Sequence, residues 1–298
     1  MKIGHSPMIG PSGLRPDALA VALEERGFES LWLGEHTHIP VGDRVPPSRS
    51  YTVLPESYKV MPDPLISLAV ASAATTRLGL GTSIALVLEH EPIVYAKSVA
   101  TLDRLCEGRL VLGIGVGWHR EELANVSSIP WGRRYDALEE RIRALRALWS
   151  EETPSFDGEF TSFDPVWSFP KPHRPGGPPV VIGLSGPKGM RHAAAWGDGW
   201  FPIGRTLDDV AASVAAFRRA VVDAGRAPDS VEMGLTLAFA PDPDAAGVTF
   251  DALRRYRDAG VERVVFVDDP ALVPAPDVRM RVLDRYATVI PELDAPSG

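Results

Sequence analysis

Eight short apolar runs alternate with eight amphipathic helical patterns along this chain, and this alternation limits the possible folds more than any other feature. The runs are rich in Val, Leu and Ile and too short for core helices, so they predict buried strands. Strands are expected at residues 2–9, 30–35, 78–87, 109–116, 179–184, 199–203, 231–239 and 262–267. Helices are expected at residues 14–26, 63–75, 91–106, 131–150, 187–197, 207–224, 249–259 and 276–290.

Repeated strand-then-helix units predict an α/β fold with parallel strands. The length of 298 residues suits a closed (β/α)8 barrel, the TIM barrel, whose usual size is about 250 residues. An open doubly wound sheet is the alternative. We therefore predict a single TIM-barrel domain over residues 1–298.

Two long insertions interrupt the alternation, one after strand 2 and one before strand 5. Residues 36–62 are rich in proline and contain Tyr51 and Tyr58, while residues 152–178 interleave aromatic residues with Pro and Gly. Loops of this length in a compact domain are typically lids or binding loops. We expect both insertions to pack as lids that determine the substrate.

Charge and composition exclude several classes of protein. The net charge is −8, and no block of Lys and Arg marks a surface for nucleic acid or anionic membrane. The chain has neither a long apolar segment nor an N-terminal signal-peptide pattern, so we expect a cytoplasmic protein with no membrane span. The single cysteine, Cys106, excludes an intrachain disulfide and a Cys-based zinc site.

A carboxylate and an imidazole are adjacent where the second predicted strand ends. Glu35 and His36 suit proton transfer, because imidazole titrates near neutral pH and a carboxylate can orient it. The alternative is a histidine that is only hydrogen-bonded under the following loop. His38 follows, but no further ligands lie nearby in the sequence, so we expect no metal site.

The fourth predicted strand loses its side chains on one face. Gly113, Gly115 and Gly117 stand at every second position, and alternate residues of a strand point to the same side. A charged helical segment follows directly. A bare strand face that leads into a helix start predicts a wall against which a cofactor lies.

A glycine-rich turn follows the fifth predicted strand and leads into a helix with Pro187 in its first turn. The turn contains Gly183, Ser185 and Gly186. Free N–H groups and the helix dipole make such a turn an anion site, which fits a phosphate-bearing cofactor. An ordinary capped turn is the alternative, and the spacing of Lys and Gly differs from that of a P-loop.

Six motifs along nearly the whole chain resemble those of a known family. They are PDPLISLAVASAATTRLGLGTSIAL (62–86), KSVATLDRLCEGRL (97–110), GRLVLGIGVGWHREEL (108–123), YDALEERIRALRALW (135–149), FDGEF (156–160) and the stretch from GGPPVVIGLSGP to AAAWGDGWFP (176–202). The family that they resemble is the luciferase-like monooxygenase superfamily. Within it, the chain is most similar to the actinobacterial branch of coenzyme F420-dependent oxidoreductases.

The resemblance implies a (β/α)8 barrel that binds its cofactor at the carboxyl ends of the strands. It implies a non-prolyl cis peptide between Ser83 and Ile84 that supports the cofactor ring. Glu35 and His36 match a catalytic acid–histidine pair, although many relatives have Asp at position 35. The remaining matches are the strand-four cofactor wall and the turn that contacts the phosphate-bearing tail: Gly115, Gly117 and Glu121, then Gly183, Leu184, Ser185 and Gly186.

The implied activity is hydride transfer between coenzyme F420 and a small organic substrate, with His36 exchanging the proton. The alternative is an FMN-dependent monooxygenase that takes reduced flavin from a partner reductase and activates oxygen. Tyr135 resembles the phosphate-binding tyrosine of FMN users, whereas Gly186 stands where those proteins often carry a serine. A second alternative is a barrel that binds the cofactor without turnover, and a homodimer is expected by resemblance.

Overall fold

The computed structural model describes residues 1–10, 13–42, 53–203, 207–239 and 249–294. Its ten strands are β1 (Lys2–Ser6), β2 (Ser30–Leu33), β3 (Gly79–Thr82), β4 (Leu110–Ile114), β5 (Phe156–Asp157), β6 (Ser162–Phe163), β7 (Val180–Ile182), β8 (Gly199–Trp200), β9 (Glu232–Phe239) and β10 (Arg263–Asp268). Eight of them close a barrel in the order β1-β10-β9-β8-β7-β4-β3-β2, and every neighbouring pair is parallel. The predicted TIM barrel is confirmed, and the open sheet is excluded.

Helices surround this barrel and connect its strands. They are α1 (Pro16–Glu25), α2 (Glu56–Lys59), α3 (Pro64–Ala74), α4 (Pro92–Leu105), α5 (Arg120–Val126), α6 (Arg134–Ser150), α7 (Gly186–Trp196), α8 (Leu207–Asp223), α9 (Phe250–Asp258), α10 (Pro276–Ala287) and α11 (Ile290–Asp294). Each of the eight predicted helices is present with small shifts at its ends. The short helix α5 is the charged helical segment expected after strand four, whereas the short helices α2 and α11 and the hairpin β5–β6 lie outside the predicted set.

Side-chain caps explain where α3 and α4 begin. Asp63 accepts a hydrogen bond from the Ile66 N–H at 2.9 Å, and Glu91 accepts one from the Val94 N–H at 2.8 Å. A proline follows each capping residue, and its fixed φ suits the first turn of a helix. Local chemistry of this kind is why the helix starts were predictable.

Trp32 fills the interior of the barrel and explains several glycines. Its ring packs against Phe201 with a centroid separation of 5.5 Å, and its Nε1 donates to Ser30 Oγ at 2.7 Å. A Cβ built on Gly81 would lie 2.2 Å from the Trp32 ring, and one on Gly4 would lie 2.8 Å from it. The strands therefore lack side chains where the indole needs room.

Gly113 of β4 is tightly enclosed for a different reason. A Cβ built there would lie 2.0 Å from the carbonyl oxygen of Thr82, and backbone cannot move aside as a flexible side chain can.

We expect Gly113→Ala to lower the free energy of unfolding by about 1–3 kcal/mol, measured by urea denaturation. Gly132→Ala is the control, because nothing lies within 4 Å of the added Cβ. Equal stability of the two variants would contradict this packing argument.

His5 of β1 is fully buried as a neutral imidazole. Its Nδ1 donates to the Phe266 carbonyl at 3.0 Å, and its Nε2 accepts from Arg279 at 2.9 Å. Burial, opposed by the nearby Asp268, lowers the pKa of His5 from 6.5 to about 4. The folded state therefore resists protonation that the unfolded chain accepts below pH 6.5.

This lowered pKa predicts a stability loss in acid. Stability from His5 is complete above about pH 6.5 and falls as the pH decreases toward 4, by about 3 kcal/mol in all. Urea denaturation between about pH 7 and about pH 4 should show a shallower pH dependence for His5→Gln. His173→Gln, at an exposed histidine, should keep the wild-type slope. The same slope in all three proteins would refute the assignment.

The two insertions pack against different parts of the barrel. The first follows β2, and its Tyr58 and Met61 line the cavity described below, while Tyr51 lies outside the described residues. The second follows α6 and packs back on that helix, where Glu140 accepts hydrogen bonds from three successive N–H groups, those of residues 159–161. None of its residues lines the cavity. A segment that follows a helix starts at the end of the barrel opposite the active site, and the lid role expected of residues 152–178 stays a prediction.

Among the described residues, no helix combines the length and apolar character needed to cross a bilayer.

Candidate active site

A cavity of about 390 Å³ opens at the carboxyl ends of the barrel strands. Trp32 and Phe201 contribute to its wall, so the packed barrel interior continues into the cavity. Active sites of closed α/β barrels are built at this end. The residues proposed from the sequence that line it are Glu35, His36, Ser83, Ile84, Gly117, Gly183, Leu184 and Ser185.

Ile84 forms a ridge in the cavity, and two glycines make room for it. The Ser83–Ile84 peptide bond is cis, which confirms the geometry that the resemblance implied. A Cβ on Gly115 would lie 2.0 Å from Ile84 Cδ1, and one on Gly183 would lie 2.6 Å from Ile84 Cγ2. At Gly115 the strand face expected to be bare is thus covered by Ile84, so this glycine shapes the cavity indirectly, whereas Gly113 and Gly117 line it.

Gly117 has a separate role in the turn from β4 into α5. Its φ is +68°, a left-handed value that side-chain-bearing residues rarely adopt. The turn brings the next residue, Trp118, to the cavity wall. Gly113, Gly115 and Gly117 are therefore each required for a different physical reason.

His36 lines the cavity and is held there by Glu122 of α5. Its Nδ1 lies 2.7 Å from Glu122 Oε2, and the two side chains are 5% and 2% exposed. Tyr58 and Trp118 pack edge-on against the imidazole with centroid separations of 5.1 Å in each case. Because the carboxylate engages Nδ1, Nε2 is the atom that can exchange a proton with a molecule in the cavity.

Glu35 has other partners and does not orient His36. Its Oε2 accepts a hydrogen bond from the Leu86 N–H at 2.6 Å, and its Oε1 lies 2.8 Å from His90 Nε2. Successive residues of extended backbone point to opposite sides. The side chains of Glu35 and His36 therefore diverge because the two residues are neighbours in the chain. The predicted pairing is wrong, and the carboxylate partner comes from 86 residues farther along the chain.

Glu122 was missed in favour of its neighbour Glu121. The Glu121 side chain is 45% exposed, and its carboxylate lies 3.5 Å from His119 Nδ1 rather than on the cavity wall. Neighbouring residues in a helix point about 100° apart, so only one of the two can face the barrel. The charged run predicted a helix here, but it did not indicate which glutamate points inward.

Another carboxyl group, that of Glu89, lies beside the His36–Glu122 pair. Glu89 Oε2 accepts a hydrogen bond from Thr37 Oγ1 at 2.7 Å. Burial, followed by the negative charge of Glu122, raises the pKa of Glu89 to about 8. Glu89 is therefore largely protonated at neutral pH.

The amino end of α7 forms a separate, polar part of the site. Gly186 has a φ of +79°, and Ser185 precedes the helix without bonding to its N–H groups. Lys188 Nζ lies 4.0 Å from the centroid of the Tyr135 ring, which itself stacks on His192. Tyr135 and Gly186 are outside the cavity lining, beside a helix terminus and a cation that together suit an anion.

Comparison with known proteins gives a match over most of the chain. The family model described as luciferase-like monooxygenase matches residues 13–278. An uncharacterised protein of Mycobacterium tuberculosis is 39% identical over 257 residues, which are 85% of this chain and 87% of that protein. An F420-dependent glucose-6-phosphate dehydrogenase of Kineococcus radiotolerans is 30% identical over 231 residues, which are 76% of this chain and 64% of that protein.

Solved structures share the same fold. An F420-dependent secondary alcohol dehydrogenase in complex with an F420–acetone adduct superimposes with a TM-score of 0.77, 19% identity and 99% coverage of both chains. The monooxygenase RslO1 from Streptomyces bottropensis gives a TM-score of 0.77, 21% identity and 99% coverage of both chains. At these identities, the likeness shows the fold alone.

Proposed function

Because the chain belongs to the luciferase-like monooxygenase family, we propose that it is an oxidoreductase that transfers a hydride between coenzyme F420 and a small organic substrate. The observation that carries this proposal is the His36–Glu122 pair on the wall of the barrel-end cavity, with a 2.7 Å contact. An F420-dependent relative at 30% identity supports the choice of cofactor. His36 is the proposed catalytic residue, and Glu122 positions it.

The residues present fit a flat ring with an anionic tail. The cavity wall is mainly apolar and carries the Ile84 ridge, whose space depends on Gly115 and Gly183. The turn over Gly183, Leu184, Ser185 and Gly186 leads to the amino end of α7, where N–H groups and Lys188 would hold a phosphate. When bound, the deazaflavin ring supplies hydride transfer at its C5 position.

The protein's own contribution is to move one proton and to exclude water. Glu122 accepts the Nδ1 hydrogen of His36 and also the Thr37 N–H at 2.9 Å, which selects the tautomer with a free Nε2. Nε2 takes the hydroxyl proton when an alcohol is oxidised and returns it when a carbonyl is reduced. Tyr58 and Trp118 enclose the imidazole, so bulk water has little access to that proton.

The FMN-dependent monooxygenase is the second candidate, because the structure of a monooxygenase matches the full chain and Tyr135 lies beside the anion site. Fluorescence titration with F420 and with FMN tests the choice of cofactor. We expect F420 to bind at least about tenfold more tightly, a difference of about 1.4 kcal/mol. Oxygen consumption that depends on reduced FMN alone would overturn the proposal. With either cofactor, a separate reductase that regenerates the reduced form is the expected partner.

The expected homodimer has a candidate surface on the neighbouring helices α3 and α4. Ile66 is 69% exposed, and Val94 and Leu105 are each 64% exposed, and exposed apolar side chains that cluster mark interaction surfaces. Analytical ultracentrifugation measures the oligomeric state, and we expect Ile66→Glu to shift the wild-type dimer toward the monomer. Leu272→Glu, also 69% exposed in the wild-type chain, is the matched control on another part of the surface.

A further inference from the structure

We propose that His38, Glu89 and Glu122 bind a divalent transition-metal ion such as Zn²⁺ at the rim of the cavity. One ligand atom from each residue, an imidazole nitrogen and two carboxylate oxygens, lies within 4.8 Å of the other two. Imidazole and carboxylate are common ligands of zinc and neighbouring metals, and water can complete the coordination. This site goes beyond the proposed hydride transfer.

The ring of His38 is oriented on both sides. Asn125 Nδ2 lies 2.9 Å from Nε2, and Thr37 Oγ1 lies 2.9 Å from Nδ1. Because the Thr37 hydroxyl hydrogen goes to Glu89, Nδ1 donates to Thr37 Oγ1. For Nδ1 to bind an ion, its hydrogen must move to Nε2, where the Asn125 oxygen accepts it once the amide is turned over. An outer partner on the second ring nitrogen is typical of metal-bound histidine.

Among the described residues, no Lys or Arg forms an ion pair with Glu89 or Glu122. Glu122 is buried between His36 and the Thr37 N–H, and Thr37 Oγ1 donates to Glu89. A divalent ion bound by both carboxylates would neutralise their negative charge.

The ligands come from three separate segments, which explains why the sequence predicted no metal site. His38 follows β2, Glu89 precedes α4 and Glu122 lies in α5. Glu122 is shared with His36, so a bound ion would withdraw negative charge from the group that orients the imidazole. We therefore expect Zn²⁺ to inhibit turnover rather than to take part in hydride transfer.

Metal binding is measured on the full chain after treatment with a chelator and without added cofactor. We expect calorimetry to show one Zn²⁺ per chain, and Co²⁺ to give a visible absorption band on binding. His38→Ala and Glu89→Gln should each lower the affinity at least about tenfold. Glu121→Gln and His173→Ala should bind both ions as the wild type does, since these residues lie outside the cluster.

The proposal is overturned if the wild-type chain binds neither ion, or if both ligand variants bind as tightly as the wild type. Circular dichroism and thermal unfolding establish that each variant is folded, and the two substitutions lie in different segments. The measurement uses no F420, so its outcome is independent of the cofactor titration.

Discussion

Replacing His36 by Ala is expected to reduce kcat by about 10²–10⁴-fold while cofactor affinity changes little. Proton transfer by a positioned side chain contributes a factor of this size. The imidazole Nε2 has access to the cavity because Glu122 engages the other nitrogen at 2.7 Å. Steady-state kinetics with F420 and a panel of small alcohols measures turnover, and fluorescence titration measures cofactor binding on the same preparation.

This comparison also separates an enzyme from a carrier. A barrel that only binds the cofactor would keep its function after the substitution, whereas an enzyme loses turnover. His173→Ala is the control, since that exposed histidine has no place in the site. Turnover of His36→Ala within about twofold of the wild type, below the range expected for a proton-transfer residue, would exclude His36 as the proton-exchange group.

Glu122→Gln is expected to lower kcat on the order of 10²-fold, because an amide can donate to Nδ1 and stabilise the wrong tautomer. The loss of negative charge also disfavours the imidazolium form. In alcohol oxidation, where Nε2 must be unprotonated, the fall in activity on the acid side should therefore move to lower pH. The pH profile of kcat/KM measures this shift, which a purely structural role would not produce.

Comparison with Glu35→Gln distinguishes which of the two carboxylates acts on His36. Glu35 also lines the cavity, but its carboxylate bonds to the Leu86 N–H and to His90. Its substitution should leave the acid side of the pH profile in place. A shift with Glu35→Gln and none with Glu122→Gln would restore the pairing expected from the sequence.

The architecture was predictable because its determinants are local. Apolar runs and helical periodicity mark eight strand-then-helix units, and capping residues such as Asp63 and Glu91 mark helix starts. Most barrel strands are nevertheless shorter than predicted: β3 ends at Thr82, although the apolar pattern continues to residue 87. Beyond that point Ile84 and Leu86 line the cavity, and an isolated bridge between Ala85 and Ile114 continues the pairing with β4.

The candidate site was only partly predictable, because side-chain direction depends on the fold. His36 and the Ser83–Ile84 peptide lie where motif and resemblance placed them. The choice between Glu121 and Glu122 follows from the rotation of α5 relative to the barrel. The position of the insertion at residues 152–178 also depends on the fold. It lies against α6 because it starts at the end of the barrel where that helix ends.

Sequence by itself determined the alternation of elements, the order of the barrel units and the positions of the glycines, since these depend on neighbours along the chain. Only the tertiary structure decided which groups meet. It placed Glu122 on His36, Ile84 against Gly115, and Glu89 near His38. Such contacts join segments that closure of the barrel brings together at one end, and no spacing within the sequence encodes the distance between them.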